Sequence, residues 1–149
     1  MEKKKETYTF TGLGFPVQII NCPMKKILEE WVIDINLNAL QLWVFNELIH
    51  KQSPLTGKEM KFMRKFMHLT TESFGKRVGV SHAAVVKWEK EQAKLSPVQE
   101  IYIRMVFLEL LKNMEINAIF KDITPETLSR AKEKNLPLVI NPEVLADAI

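Results

Sequence analysis

Few residues of this 149-residue chain have the type and spacing that nucleophilic or metal chemistry requires. Cys22 is the only cysteine, and no histidine or basic residue adjoins it to activate a thiolate. The three histidines, His50, His68 and His82, are not separated by a ligand spacing such as i, i+4. No phosphate loop, catalytic triad or dinucleotide fingerprint is present in the sequence. We therefore expect no metal site, no cofactor and no enzymatic activity.

Basic residues are concentrated in the middle of the chain. Residues 56–94 carry nine lysine and arginine residues against four glutamates, a surplus of five, whereas the formal charge of the whole chain is +3. A localised basic segment is the usual electrostatic footprint of a nucleic-acid contact, but a solvated helix face gives the same count. Charge alone leaves both interpretations open.

The same segment has the residue spacing of two helices packed around a short turn. With Thr71 as the first residue, the fourth, eighth, tenth, fifteenth and eighteenth positions must be apolar to fill the wedge between the helices. These positions are Phe74, Val78, Val80, Val85 and Trp88. The fifth position must be small and is Gly75, and the ninth, in the turn, is Gly79, which tolerates a positive φ. The spacing predicts a helix-turn-helix.

The stretch from Leu69 to Glu89 resembles the helix-turn-helix of lambda-repressor-like (Xre-type) regulators, in which the Trp88-Glu89 pair is characteristic. The resemblance implies an ion pair between Arg64 of the preceding helix and Glu89. The segments from Tyr8 to Gly14 and from Leu55 to Arg64 are similar to the DNA-binding half of zinc-ribbon antitoxin regulators. A zinc ribbon itself is absent, since the chain has a single cysteine. The resemblance covers about residues 7–112 and is strong for 55–91.

The resemblance implies that the helix from Ser81 to Glu89 enters the major groove of double-stranded DNA. The implied base contacts are His82, Ala83 and Lys87, of which the alanine methyl can touch a thymine methyl. The implied phosphate contacts are Thr71, Ser81, Ala84, Lys76, Arg77, Lys90 and Lys94. These positions predict a sequence-specific DNA-binding transcriptional regulator.

An alternative function follows from the apolar residues of the same helix. Ala83, Ala84 and Val86 stand where polar side chains are frequent in such regulators, so few groups remain for hydrogen bonding to bases. The loop after Glu89 also lacks the glycine often found there. These departures favour a protein-interaction module, or an antitoxin-like partner of a protein such as a toxin, with weak or no DNA binding.

The elements that position this segment are marked by capping residues. Thr56 and Glu59 form a capping box, and Ser81 is a favourable N-cap. Further helices are expected from Asn38 to Lys51, from Pro97 to Asn113 and from Thr124 to Lys134. A strand is expected at Val17 to Ile20, a hairpin or small sheet within Lys25 to Ile35, and a weak strand at Leu136 to Ile140. The predicted fold is mainly α, of the α+β class, with a small N-terminal β element and a helical body.

The predicted organisation has three parts. Residues 1–52 hold the β element and a helix, residues 53–113 the DNA-binding domain, and residues 114–149 an extension of unknown role. A single cysteine cannot close an internal disulfide, and neither a signal peptide nor an apolar window long enough for a membrane span is present. We expect a cytoplasmic protein.

The last expectation is a homodimer. The predicted helix from Pro97 to Asn113 is apolar nearly all round, because Ile103, Val106, Phe107 and Leu110 add to the stripe that a single core needs. Regulators of this architecture also place two recognition helices one DNA turn apart. The alternative is a single larger core within one chain.

Overall fold

The computed structural model describes residues 2–111 and 138–143, which form a mixed α+β fold as expected. In chain order its elements are β1 (Lys3–Phe10), β2 (Val17–Ile27), β3 (Glu30–Ile33), α1 (Leu37–Ile49), α2 (Gly57–Phe66), α3 (Thr71–Val78), α4 (His82–Glu89), α5 (Pro97–Leu111) and β4 (Leu138–Ile140). The predicted helix from Thr124 to Lys134 lies outside the described residues.

Strand β2 is the centre of the sheet. It pairs antiparallel with β1 and β3, and parallel with β4 through the register Val17↔Leu138. The predicted strand from Val17 to Ile20 was too short, because β2 continues past a bulge in which Ile20 and Asn21 oppose a single residue of β1. Asn21 has a φ of 50°, a conformation that asparagine accepts more readily than most residues.

The hairpin expected within Lys25 to Ile35 is confirmed. Strands β2 and β3 are joined by the two-residue turn Leu28-Glu29, whose φ angles of 48° and 68° are both positive, as in a type I′ turn. Such turns favour asparagine and glycine, so leucine and glutamate are unusual here. The Leu28 side chain is 93% exposed at the tip.

One face of the sheet is apolar and contains the cysteine. Val17, Ile19, Cys22 and Met24 alternate along β2 on its buried face. Burial raises the pKa of the Cys22 thiol, and the Glu6 carboxylate raises it further. The thiol is therefore protonated near neutral pH, the opposite of an activated nucleophile.

The described residues divide into two compact units. One contains residues 2–44 and 138–143, and the other contains residues 45–111. The division falls within α1, not after residue 52 where the sequence placed it, and β4 joins the N-terminal unit through its pairing with β2.

The predicted starts of α2 and α4 are confirmed by their caps. The Glu59 amide donates to Thr56 Oγ1 over 3.1 Å, and the Thr56 amide donates to Glu59 Oε1 over 2.8 Å. Ser81 caps α4 through the Ala84 amide. Asn36 Oδ1 accepts from the Ala39 amide, which begins α1 at Leu37 instead of Asn38.

Helix α5 places its apolar residues inside the chain. Ile103, Val106 and Phe107 are buried and Leu110 is half-buried, so these residues favour the alternative of a larger core within one chain over a surface left for a second copy. The Phe107 ring stacks on that of Phe74 with centroids 5.2 Å apart and meets Phe45 edge-on at 5.6 Å. The large apolar side chains that α5 exposes are those of Val98 (66%) and Tyr102 (49%), which lie one turn apart.

A buried arginine on α5 organises the segment that leads into α2. Arg104 is fully buried and donates to Glu100 Oε2 over 2.6 Å. Its guanidinium also donates to the carbonyl oxygens of Ile49, Lys51 and Ser53. Burial raises the pKa of Glu100, while Arg104 and the Leu55 amide, which donates to Glu100 Oε1 over 2.9 Å, oppose that shift. These contacts hold residues 49–55 against α5.

Candidate nucleic-acid interface

Helices α3 and α4 pack through the apolar residues that the sequence spacing selected. Phe74 and Val85 are fully buried and Trp88 is 8% exposed. Val78 and Val80 are only half-buried, which corrects the expectation that all five belong to the core. The reason is their place at the end of α3 and in the turn, where fewer neighbours cover them.

The close approach of α3 and the following turn requires two glycines, Gly75 within α3 and Gly79 at its end. Gly79 has a φ of 79° and ends α3, and the Val80 amide donates back to the Gly75 carbonyl oxygen over 2.8 Å. A Cβ atom on Gly75 would lie 2.7 Å from the Val80 carbonyl oxygen. Gly75 must be small because the backbone of the turn, at Val80 and Ser81, lies over it.

The ion pair implied by the resemblance is present, and it is buried. Arg64 Nε and Nη2 donate to the two carboxylate oxygens of Glu89 over 2.6 and 3.0 Å. Nη1 of the same residue donates to the Leu69 carbonyl oxygen over 2.8 Å. The two side chains are 9% and 7% exposed. Arg64 therefore joins α2 both to the end of α4 and to the loop that precedes α3.

In the loop after α4, Glu91 adopts the backbone conformation for which a glycine is often present. Its φ of 58° is left-handed, and the Gln92 amide donates to the Lys87 carbonyl oxygen over 2.8 Å. The Glu91 carboxylate accepts a hydrogen bond from the Gly57 amide over 3.0 Å. A Cβ on Gly57 would lie 2.3 Å from the Glu89 carbonyl oxygen. The contact of Gly57 with Glu89 and Glu91 was not predicted from the sequence. The only local indication of it was the absence of a glycine from the Lys90-Glu91-Gln92 loop.

Five residues form the outward face of α4: His82, Ala83, Val86, Lys87 and Lys90. Their spacing places them on one side of the helix, opposite the buried Val85 and Trp88. All of them are exposed except Val86, which is half-buried. The structure thus brings the three predicted base-contact residues, His82, Ala83 and Lys87, to one accessible surface.

The starts of α3 and α4 meet at this surface. Thr71 Oγ1 lies 3.3 Å from His82 Nδ1, so a predicted phosphate contact adjoins a predicted base contact. Which of the two groups donates depends on the tautomer of the His82 ring. Glu72, exposed in the first turn of α3, opposes an anion at that helix start, whereas the first turn of α4 has no acidic residue.

Two other predicted phosphate contacts have internal roles. Ser81 Oγ accepts from the Ala84 amide over 3.2 Å, so the cap already uses that amide. Ala84 is also half-buried. The four remaining predicted phosphate contacts are exposed: Lys76, Arg77, Lys90 and Lys94.

The exposed side chains of residues 56–94 carry a larger positive surplus than the composition of the segment indicates. Of nine basic residues only Arg64 is buried. Of four glutamates, Glu59 is buried against Lys51 Nζ at 2.6 Å and Glu89 is paired with Arg64. Eight basic residues and two glutamates, Glu72 and Glu91, are therefore exposed. This surplus strengthens the electrostatic case for a polyanionic ligand.

Within residues 2–111 and 138–143, no three histidine, cysteine, aspartate or glutamate residues form a group that could hold a metal ion. No helix in this part of the chain has the length and apolar character needed to cross a bilayer.

Comparisons of this chain with models of protein families, with curated proteins and with solved structures find no match.

Proposed function

We propose that this chain is a sequence-specific DNA-binding transcriptional regulator, acting in the cytoplasm, that lays α4 in the major groove of double-stranded DNA. The outward face of α4 is the observation that carries the proposal. It presents His82, Ala83 and Lys87 together on one exposed side of a helix whose other side is anchored in the core. A helix of this width fits the major groove, where base edges differ in their hydrogen-bonding groups.

The surroundings of that face favour the same ligand. Lys76 and Arg77 on α3 and Lys90 and Lys94 after α4 are exposed, as phosphate contacts must be. The buried Arg64–Glu89 ion pair removes the carboxylate at the end of α4 from the surface. A duplex approaching α4 would thus find exposed basic side chains on α3 and after α4, in addition to the proposed base contacts.

The protein is expected to bind duplex DNA with an affinity that falls steeply with salt. Each phosphate that a lysine or arginine neutralises releases a condensed counterion, so the logarithm of the binding constant declines linearly with the logarithm of salt concentration. Titrations of the folded chain with labelled duplexes at several potassium chloride concentrations measure this slope. An absence of duplex binding at low salt would contradict the proposal.

Substitution of two lysines is expected to distinguish a base contact from a phosphate contact. Lys87→Ala is expected to cost about 1 to 3 kcal/mol on the preferred duplex and to relax preference at one base pair. Lys94→Ala is expected to weaken all duplexes alike and to lower the salt slope by about one. Binding of both variants to a set of single-base-pair mutants of the preferred duplex distinguishes the roles. Equal, uniform losses for both variants would assign Lys87 to the phosphate backbone.

The proposal includes a homodimer, because one recognition helix contacts few bases and two must lie about 34 to 36 Å apart on a near-palindromic site. Val98 and Tyr102, exposed one turn apart on α5, are apolar groups that a second copy could cover. Sedimentation at micromolar concentration is expected to give about twice the chain mass of 17.3 kDa, and Tyr102→Ser is expected to shift the protein toward monomer. A species of 17.3 kDa both free and on DNA would rule out the dimer.

A second candidate function is an antitoxin-like or other protein-interaction module. The β2–β3 hairpin tip favours it, since Leu28 is 93% exposed in a turn that leucine fits poorly. Residues held in unfavourable backbone conformations often serve binding. A partner that co-purifies with the wild-type chain and is lost with Leu28→Asn, while duplex binding is absent, would favour this function.

A further inference from the structure

Two apolar side chains occupy the outward face of α4. Ala83 is exposed and Val86 is half-buried, between His82 at the start of the helix and Lys87. The packing of α4 on the rest of the chain uses the opposite side, through Val85 and Trp88. The surface that the proposed function lays against base edges therefore carries methyl groups at positions where a hydrogen-bonding side chain could stand.

Helix stability does not explain Val86. Valine is a weaker helix former than alanine, lysine or glutamine, because its branched Cβ loses rotamer freedom against the preceding turn. An outward position of a short helix would be better served by any of those residues. Val86 therefore carries a small local cost, which contact with a ligand would offset.

Methyl groups have one specific partner in the major groove. Thymine presents its C5 methyl group there, whereas an unmodified cytosine presents a hydrogen atom at C5 and an N4 amino group as donor. A 5-methylcytosine carries the same methyl group in the same groove position. The methyl groups of alanine and valine can cover this group, while the donors of Lys87 and His82 can reach the N7 and O6 acceptors of a neighbouring guanine.

Resting on the proposed function, we propose that Ala83 and Val86 form a reader of pyrimidine C5 methyl groups. The protein then prefers duplexes with thymine where α4 crosses the groove, discriminates thymine from uracil, and responds to cytosine methylation at the same positions. Apolar contact, with few hydrogen bonds, sets its sequence preference.

The test uses the full chain and the duplex that it selects from a random-sequence library. Each thymine of that duplex is replaced in turn by uracil, which removes only the methyl group and keeps base pairing. Binding is expected to weaken about fourfold for each methyl group that α4 covers, because the burial of one methyl carbon is lost. At those positions, 5-methylcytosine is expected to bind about fourfold more tightly than cytosine.

Variants assign the effect to the two residues. Val86→Ala is expected to reduce the thymine-to-uracil ratio toward one at one position, with little change in thermal stability, since the gain in helix propensity offsets the loss of half-buried methyl groups. Ala83→Ser is expected to do so at another position. Lys87→Ala should lower the affinity but retain the ratio. Val139→Ala, the same change at a valine 51% exposed on β4, is the matched control and should alter neither quantity.

The outcomes separate this inference from the function on which it rests. Failure to select or bind any duplex would overturn the proposed function and this inference together. The methyl reader alone would be overturned if the selected duplex is bound equally with thymine and with uracil. It would also be overturned if the base pairs that determine binding of the selected duplex contain no thymine. A thymine-to-uracil ratio that persists in both Val86→Ala and Ala83→Ser would also overturn it.

Discussion

Replacing Arg104 with methionine is expected to lower the free energy of unfolding by about 3 to 5 kcal/mol, since removal of one partner leaves an uncompensated buried charge. Glu100, 4% exposed, would lose its ion pair, and the carbonyl oxygens of Ile49, Lys51 and Ser53 would lose a donor. The thermal midpoint should fall by roughly 10 °C. Urea unfolding followed by circular dichroism measures the change.

Two further variants show that the buried charge is the cause. Arg77→Met makes the same chemical change at an exposed arginine of α3 and should stay within about 0.5 kcal/mol of the wild type. Adding Glu100→Gln to Arg104→Met should recover part of the loss, because glutamine is uncharged and can still accept from the Leu55 amide. A loss below about 1 kcal/mol for Arg104→Met would contradict the buried network.

Gly57→Ala is the second substitution with a large expected effect, a loss of about 3 kcal/mol. The new Cβ would lie 2.3 Å from the Glu89 carbonyl oxygen and 2.7 Å from that of Trp88, and backbone atoms cannot rotate away as a flexible side chain can. Helices α2 and α4 would have to separate, which would strain the Arg64–Glu89 ion pair. Because α4 carries the proposed base contacts, duplex affinity should also fall.

The matched control is Lys58→Ala, at the next residue of α2. Lys58 is exposed and alanine is a good helix former, so stability should stay within about 0.5 kcal/mol of the wild type. Unfolding of Gly57→Ala at the same urea concentration as Lys58→Ala would show that α2 and α4 are not in close contact.

Short-range features of the fold could be predicted from the sequence. The capping residues Thr56 and Ser81 and the left-handed Gly79 act within a few residues of themselves, so their types and spacing predicted where α2, α3 and α4 begin or end. The helix-turn-helix spacing, which selected Val85 and Trp88 as apolar positions, likewise indicated which side of α4 is buried. His82, Ala83 and Lys87 were grouped by the resemblance to lambda-repressor-like regulators, and the helical geometry of α4 places them on one exposed side.

Long-range features could not be predicted in this way. Strand β1 begins with three lysines and a glutamate, a composition atypical of strands, and it forms because β2 pairs along nearly all of it. The role of Arg104 depends on carbonyl oxygens about 50 residues away in the chain. The hydrogen bond from Gly57 to Glu91 spans 34 residues. Periodicity within one element contains no information about such partners.

The most direct test of the proposed interface is amide chemical-shift mapping of the full chain during titration with its selected duplex. The largest changes are expected along α4 from His82 to Lys90 and at the start of α3, with little change at the β2–β3 hairpin. Changes concentrated at Leu28 and its neighbours, or no changes on α4 at saturating duplex, would contradict the claim that α4 is the DNA-reading helix.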